Sequence, residues 1–208
     1  MFEKFLNKYG PVDSPIAPWV PHVGGDIPDF ADVMRTWGGG SFGSGVYRVH
    51  SEVSSRAATR TIRATFPGEY ANVIAFAFDW LGRNFVLDPD AYSDEQPMIK
   101  LIGLAEVQRY QIPVSLREFH EVELVDYASD ALAVDWFEEW RASHDDRRLG
   151  FAECVGYRTP PFLGGTDDDD NLEVVDVEVY WSLTGQLYKQ VKDLPEGTPV
   201  SGISLEQQ

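Results

Sequence analysis

Gly39-Gly40-Ser41-Phe42-Gly43 spells G-x-S-x-G, the turn on which many hydrolases expose a nucleophilic serine. That chemistry needs a strand before the turn, a helix after it, and a histidine and an acid within reach. Here the order is reversed. Asp29 can cap a helical stripe of Phe30, Val33, Met34 and Trp37, and Val46–His50 reads as a short strand. His50, His120 and His144 stand in no recognisable catalytic setting, and His22, His50 and His144 read as surface or loop residues. A glycine turn that carries the backbone past Trp37 is the simpler reading, and no Gly-Lys-Ser/Thr follows to make it a phosphate loop. A Ser41-dependent hydrolase is kept as an alternative.

The second candidate is a run of aspartates. Asp167, Asp169, Asn171, Glu173 and Glu178 occupy positions 1, 3, 5, 7 and 12 of a calcium loop. Position 6 must be glycine and is Leu172, and Pro-Pro-Phe-Leu-Gly-Gly replaces the helix that should precede the loop. One cysteine and four scattered histidines cannot build a zinc site. Asp79, Arg83 and Asp88 flank Leu81-Gly82 and read as local ion pairs of a turn, with a small-ligand site beside it as the alternative. The expectation is therefore no catalytic residue, no metal and no cofactor. Four adjacent carboxylates repel by roughly 1 kcal/mol per pair at ~4 Å in water, so folding gains little from Asp167–Asp170. A patch offered to a cationic partner fits better.

The elements that position these residues change period part-way along the chain. Residues 10–28 hold five prolines and read as an extended arm, in which Trp19 lacks periodic neighbours and is available as an anchor for a partner. Residues 52–65 form a helix with Val53, Ala57, Ala58 and Ile62 on one face. Ala71–Trp80 and Arg83–Leu87 flank a tight reversal, and Met98–Leu104 and Val107–Ile112 add strands. Helices then dominate. Ser115 caps one with Leu116, Phe119, Val122 and Leu124, and Ala131–Ser143 carries Leu132, Trp136, Phe137 and Trp140 inward. Asp176 caps the last, in which Val179, Leu183, Leu187 and Val191 recur every four residues. Gly185 inside that helix marks a close packing contact. This is an α+β pattern, mainly an antiparallel sheet in the N-terminal half packed with helices of the C-terminal half. A tail begins at about residue 194.

Charge separates the halves as clearly. Residues 1–110 carry 13 acidic and 10 basic side chains, and residues 111–208 carry 21 and 7, so nearly all of the net −17 lies in the second half. That field disfavours nucleic acid and attracts a cationic protein. The N-terminal MFEKFLNKYGPVD is no secretory signal, no apolar window spans a bilayer, and the lone Cys154 excludes an internal disulfide. A soluble cytoplasmic protein without membrane contact is expected.

Residues 154–191, CVGYRTPPFLGGTDDDDNLEVVDVEVYWSLTGQLYKQV, resemble the C-terminal region of Tdi-type type VI secretion immunity proteins. FLGG, the acidic run, DNLEVVD, EVYW and GQL occur in family-like order. WGGGSFGSGVYRVH (37–50) and AFDWLGRNFVLDP (77–89) look like the GAD-like domain that precedes it in those proteins. The resemblance implies a GAD-like domain at 1–112 and a Tdi-like immunity domain at 113–208. It also implies an inhibitor that blocks a cognate basic effector toxin, a DNase, rather than an enzyme. A regulatory or small-ligand module is the alternative. With no assembled active site and a lopsided charge, Asp167, Asp168, Asp169 and Asp170, with Glu138, Glu139, Asp145 and Asp146, are expected to face that toxin.

Overall fold

The computed structural model describes residues 2–13, 17–22, 24, 27–93, 96–195 and 198. Helices α1 (Glu3–Tyr9) and α2 (Phe30–Trp37) precede a six-stranded meander. Its strands are β1 (Ser41–Phe42), β2 (Tyr47–Val49), β3 (Ile74–Asp79), β4 (Asn84–Ser93), β5 (Gln96–Ile102) and β6 (Arg109–Ile112), with α3 (Glu52–Thr65) between β2 and β3. Every neighbouring pair is antiparallel, in the order β1 to β6. The second half brings α4 (Leu116–Glu118), a π turn at Phe119–Glu123, α5 (Leu124–Asp126), α6 (Ala128–Leu132) and α7 (Val134–Ser143). A two-stranded sheet of β7 (Glu153–Tyr157) and β8 (Leu172–Asp176) leads into α8 (Val177–Val191). The fold is α+β as expected, and one continuous core runs from Phe2 to Trp181. The sheet is served by helices of both halves, since α3 packs on β3 as well as on α8.

The β7–β8 pair was not expected. Leu172–Asp176 is five residues long and half acidic in its surroundings, and its partner strand lies beyond the Pro-Pro and Gly-Gly turns. Pairing of that kind leaves little periodic trace in the local sequence.

Two helices are rotated from the faces their apolar residues predict. In α3, Val53 is 78% exposed, whereas Ser55, Ile62 and Thr65 are buried. Hydroxyls decide this. Ser55 Oγ donates to the Ala75 carbonyl at 2.7 Å and Thr59 Oγ1 accepts from the Ala75 amide at 3.0 Å, where the β3–β4 register shifts between Ala75 and Ala77. A bulge frees backbone groups that need partners, and the helix turns its hydroxyls to them. In α8 the four-residue row points outward, with Val179 49% and Leu183 38% exposed. Val177, Tyr180, Trp181, Thr184 and Gly185 are buried instead. The larger rings go inward because each has a core partner: Trp181 Nε1 donates to the Gly82 carbonyl at 2.6 Å, and the Tyr157 amide donates to the Tyr180 hydroxyl at 3.3 Å. Gly185 does mark close packing, since a Cβ there would lie 2.7 Å from Thr65 Oγ1.

Capping follows the sequence at Ser115, whose hydroxyl accepts from the Glu118 amide at 3.1 Å, and at Asp176, and departs from it at Asp29. Asp176 Oδ1 accepts from the amides of Glu178 and Val179 at 2.9 and 3.0 Å, the expected cap of α8. Asp176→Ala should lower stability by about 1 kcal/mol, measurable as a shift in urea midpoint. Asp29 makes no side-chain cap on α2. It adopts a left-handed conformation, and its carboxylate takes Arg117 at 2.6 Å. The helix predicted across 131–143 breaks at Ala133, also left-handed, and the π turn after Ser115 brings His120 rather than Val122 into the core.

The proline-rich arm lies partly outside the described residues, as does the tail apart from Leu194, Pro195 and Thr198. Trp19 is not free to anchor a partner. It is half-buried, and its indole N–H donates to the His50 carbonyl at 3.1 Å. A Cβ on Gly38 would come 2.8 Å from its ring, and one on Gly39 2.8 Å from the Ala17 amide. The glycines therefore admit the arm itself.

Candidate partner-binding surface

The turn Asp79-Trp80-Leu81-Gly82-Arg83 is where the two halves meet. Gly82 has φ 75, the left-handed conformation that suits glycine in a tight reversal. Asp79 is wholly buried. Its Oδ1 accepts from the amides of Leu81 and Arg83 at 3.1 and 2.9 Å, and its Oδ2 from Arg83 Nε at 2.6 Å. Burial pushes the Asp79 carboxyl above its usual range, and the Arg83 charge opposes that. Partners then arrive from the second half. The Val155 amide of β7 donates to the Trp80 carbonyl at 2.7 Å, Trp80 Nε1 donates to the Leu132 carbonyl of α6 at 2.9 Å, and Arg83 reaches the Ala131 carbonyl at 3.3 Å. Trp181 of α8 closes the set on Gly82. Asp88 pairs with Lys100 at 2.5 Å. Asp79 and Arg83 thus form one buried ion pair and Asp88 another with Lys100, the local pairs expected of this turn.

Ser41 is buried on β1, not raised on a strand-to-helix turn. His50 is buried rather than a surface residue, with Ser54 Oγ on Nδ1 and Asn84 Oδ1 on Nε2, both at 3.0 Å. His120 is bonded to the Leu116 carbonyl at 2.8 Å and the Tyr47 hydroxyl at 3.0 Å. Burial pulls both rings down to about 4, and every ring nitrogen is engaged. His144 lies at the exposed end of α7, stacked on Trp140 at 4.6 Å.

The acidic loop is built by its neighbours. After Pro161–Leu163, Asn171 pins the loop: its Oδ1 accepts from the Thr159 amide at 3.0 Å, and its Nδ2 donates to the carbonyls of Thr159 and Thr166 at 2.8 and 2.7 Å. Asp167 Oδ1 accepts from the Tyr157 hydroxyl at 2.5 Å, and Asp169 Oδ1 from Trp136 Nε1 at 2.7 Å. The carboxylates of Asp168 and Asp170 have no hydrogen-bond partner among the described residues, and all four aspartates are exposed. The residues aligned with calcium-loop positions are thus turned to different protein groups. Among the described residues no cluster of three or more His, Cys, Asp or Glu could hold a metal ion.

The Trp136–Asp169 bond sets this loop beside the start of α7. Glu139, three residues past Trp136, is exposed, and Glu138 is exposed and paired with Arg141 at 2.9 Å. Asp145 and Asp146 follow in left-handed conformations, φ 54 and 52, just past the far end of the helix, whose last residue lies roughly 10 Å along the axis from Trp136.

Residues 117–188 match the family model of the T6SS immunity protein Tdi1, C-terminal. The match supports a type VI secretion immunity protein. Atu4351 from Agrobacterium tumefaciens, a solved crystal structure, is similar over 100% of this chain and 100% of its own, with a TM-score of 0.60 at 15% identity; the likeness is one of fold. No curated protein matches this chain.

The Tdi1-like segment contains all eight acidic residues singled out in the sequence, and it also contains the Leu132, Val155 and Trp181 contacts to the turn. The Trp136–Asp169 bond places the 167–170 loop beside the start of α7, whereas Glu138, through Arg141, is tied to the Asp146 carbonyl beyond the other end of the helix. Sequence reading missed Trp136, Tyr157 and Asn171 as the groups that hold the loop. Trp136 sits at core spacing and is half-buried, packing edge-on to Trp80 at 5.3 Å, so its second task leaves no mark in the pattern. No helix among the described residues is long and apolar enough to cross a membrane.

Proposed function

We propose that this chain is a cytoplasmic immunity protein that captures a cognate cationic type VI secretion toxin, a DNase, and covers its active site. On this reading residues 1–112 are a GAD-like domain and 113–208 the Tdi-like immunity domain, and the protein performs no bond chemistry of its own. The observation that carries it is the coincidence of the Tdi1 C-terminal match with the acidic half of the chain, where 21 acidic side chains face 7 basic ones. A nuclease presents cations to bind phosphate, and a field of opposite sign raises its rate of encounter. The loop carries that charge outward on a pinned backbone, with the carboxylates of Asp168 and Asp170 unpartnered among the described residues and exposed Glu139 three residues past the tryptophan that holds Asp169.

Asparagine at all four positions of Asp167–Asp170 keeps an acceptor oxygen for Tyr157 and Trp136 while removing the charge. Association with the cognate toxin should slow by about tenfold at low salt, with a flatter salt dependence. Stopped-flow mixing of the purified pair reads both. Unchanged rates would discard this surface. Failure of the unaltered chain to protect cells from that toxin would discard the immunity reading.

A further inference from the structure

Away from the acidic surface, α3 and α8 enclose a groove of about 480 Å³. That volume is typical of a small-molecule site. Its lining is unlike the rest of this acidic chain. His50, Asn84 and Thr65 are buried polar residues along it, with His50 and Asn84 held together at 3.0 Å. Ala57, Ala58 and Val177 supply a small apolar wall. Arg60 comes from α3 and Lys189 from α8, and neither enters an ion pair or hydrogen bond among the described residues. Glu178 is the one acidic residue in the lining.

A polar floor, an apolar wall and two unpaired cations on a molecule of net charge −17 make this groove a local well for negative charge. We infer that the α3–α8 groove binds a small organic anion, its apolar body against the alanine wall and its carboxylate, phosphate or sulfonate within reach of Arg60 and Lys189. Gly185 keeps the helices close enough to form the cleft, and its neighbour Gln186 adds an amide to the lining. The site is separate from the toxin-facing loop and goes beyond the immunity reading.

The full-length protein titrated with 1-anilinonaphthalene-8-sulfonate tests it, with the uncharged N-phenyl-1-naphthylamine and inorganic phosphate as comparisons. The sulfonate should saturate a single site and shift amide resonances of Ala57, Ala58 and Gly185. The exposed pair Arg60→Gln and Lys189→Gln, made together, should weaken it by about tenfold or more while leaving thermal unfolding unchanged. Ala57→Trp should abolish binding by filling the groove. The inference is overturned if the double variant binds the sulfonate as tightly as the parent chain, or if perturbed resonances lie only elsewhere. Equal binding of the neutral amine, or of phosphate alone, would overturn it as well.

Discussion

Arg83→Met is expected to cost about 3–5 kcal/mol of unfolding free energy at neutral pH, because it strands a buried carboxylate. Asp79 is fully enclosed, and the guanidinium 2.6 Å away is its charged partner. The variant also loses the bond from Arg83 to the Ala131 carbonyl. A carboxylate left buried without its cation must either take a proton or open the turn, and both are costly. Urea unfolding followed by tryptophan fluorescence gives the size. The double variant Asp79→Asn with Arg83→Met should cost less than the two single changes combined, since it removes both charges. A loss under about 1 kcal/mol in the single variant would mean that the pair holds nothing. Hydrogen exchange adds a location. Protection of the Val155 amide, which is bonded to the Trp80 carbonyl, should fall along with that of the turn.

Acid should weaken the fold well before its carboxylates are neutralised. Burial lowers His50 and His120 from 6.5 to about 4, so both rings are held neutral in the native state. An unfolded chain takes up those two protons first. The stability they carry is present above pH 6.5 and is lost as pH falls from 6.5 through about 4, by up to ~3 kcal/mol for each ring. Asp79 and Glu106 act in the opposite sense, because burial raises their carboxyls above 3.8 and 4.5. Their contribution is greatest at low pH and declines as pH rises through those raised values. The loss on acidification therefore falls between pH 6.5 and about 4, where the two rings would otherwise take up protons. Urea midpoints at pH 7.5, 6.0 and 5.0 measure it, and His120→Gln should flatten the dependence. Imidazole resonances of His50 and His120 titrating near 6.5 in the folded protein would contradict the prediction.

What the sequence made legible follows from where its periodicity is local. The meander, the reversal at Leu81-Gly82 and the cap at Asp176 depend on residues close together in the chain, and each was readable; Gly185 announced a close contact from within its helix, but its partner, Thr65, comes from α3. The rotated faces of α3 and α8 were not readable. Their orientation is set by Ala75, whose backbone seeks Ser55 and Thr59, and by Gly82, whose carbonyl seeks Trp181. These are long-range hydrogen bonds, and apolar spacing does not encode them. The site shows the same division. Charge density located the acidic loop, but the groups that fix its shape come from α7 and β7. The α3–α8 groove left no signal, because its lining is drawn from residues 50–65, 84 and 177–189, which meet only in the folded chain.

The turn at 79–83 also bears on inheritance. Its carbonyls, indole and guanidinium are matched to groups 48 or more positions downstream, so residues 117–188 carry half of a lock whose other half lies in the preceding sheet. Transplanted alone, that segment would expose Leu132, Val155 and Trp181 to water with nothing to dock on. Recombination between related genes must then carry both halves together, whereas changes at exposed positions such as Glu139, Asp168 and Asp170 can drift without disturbing the lock.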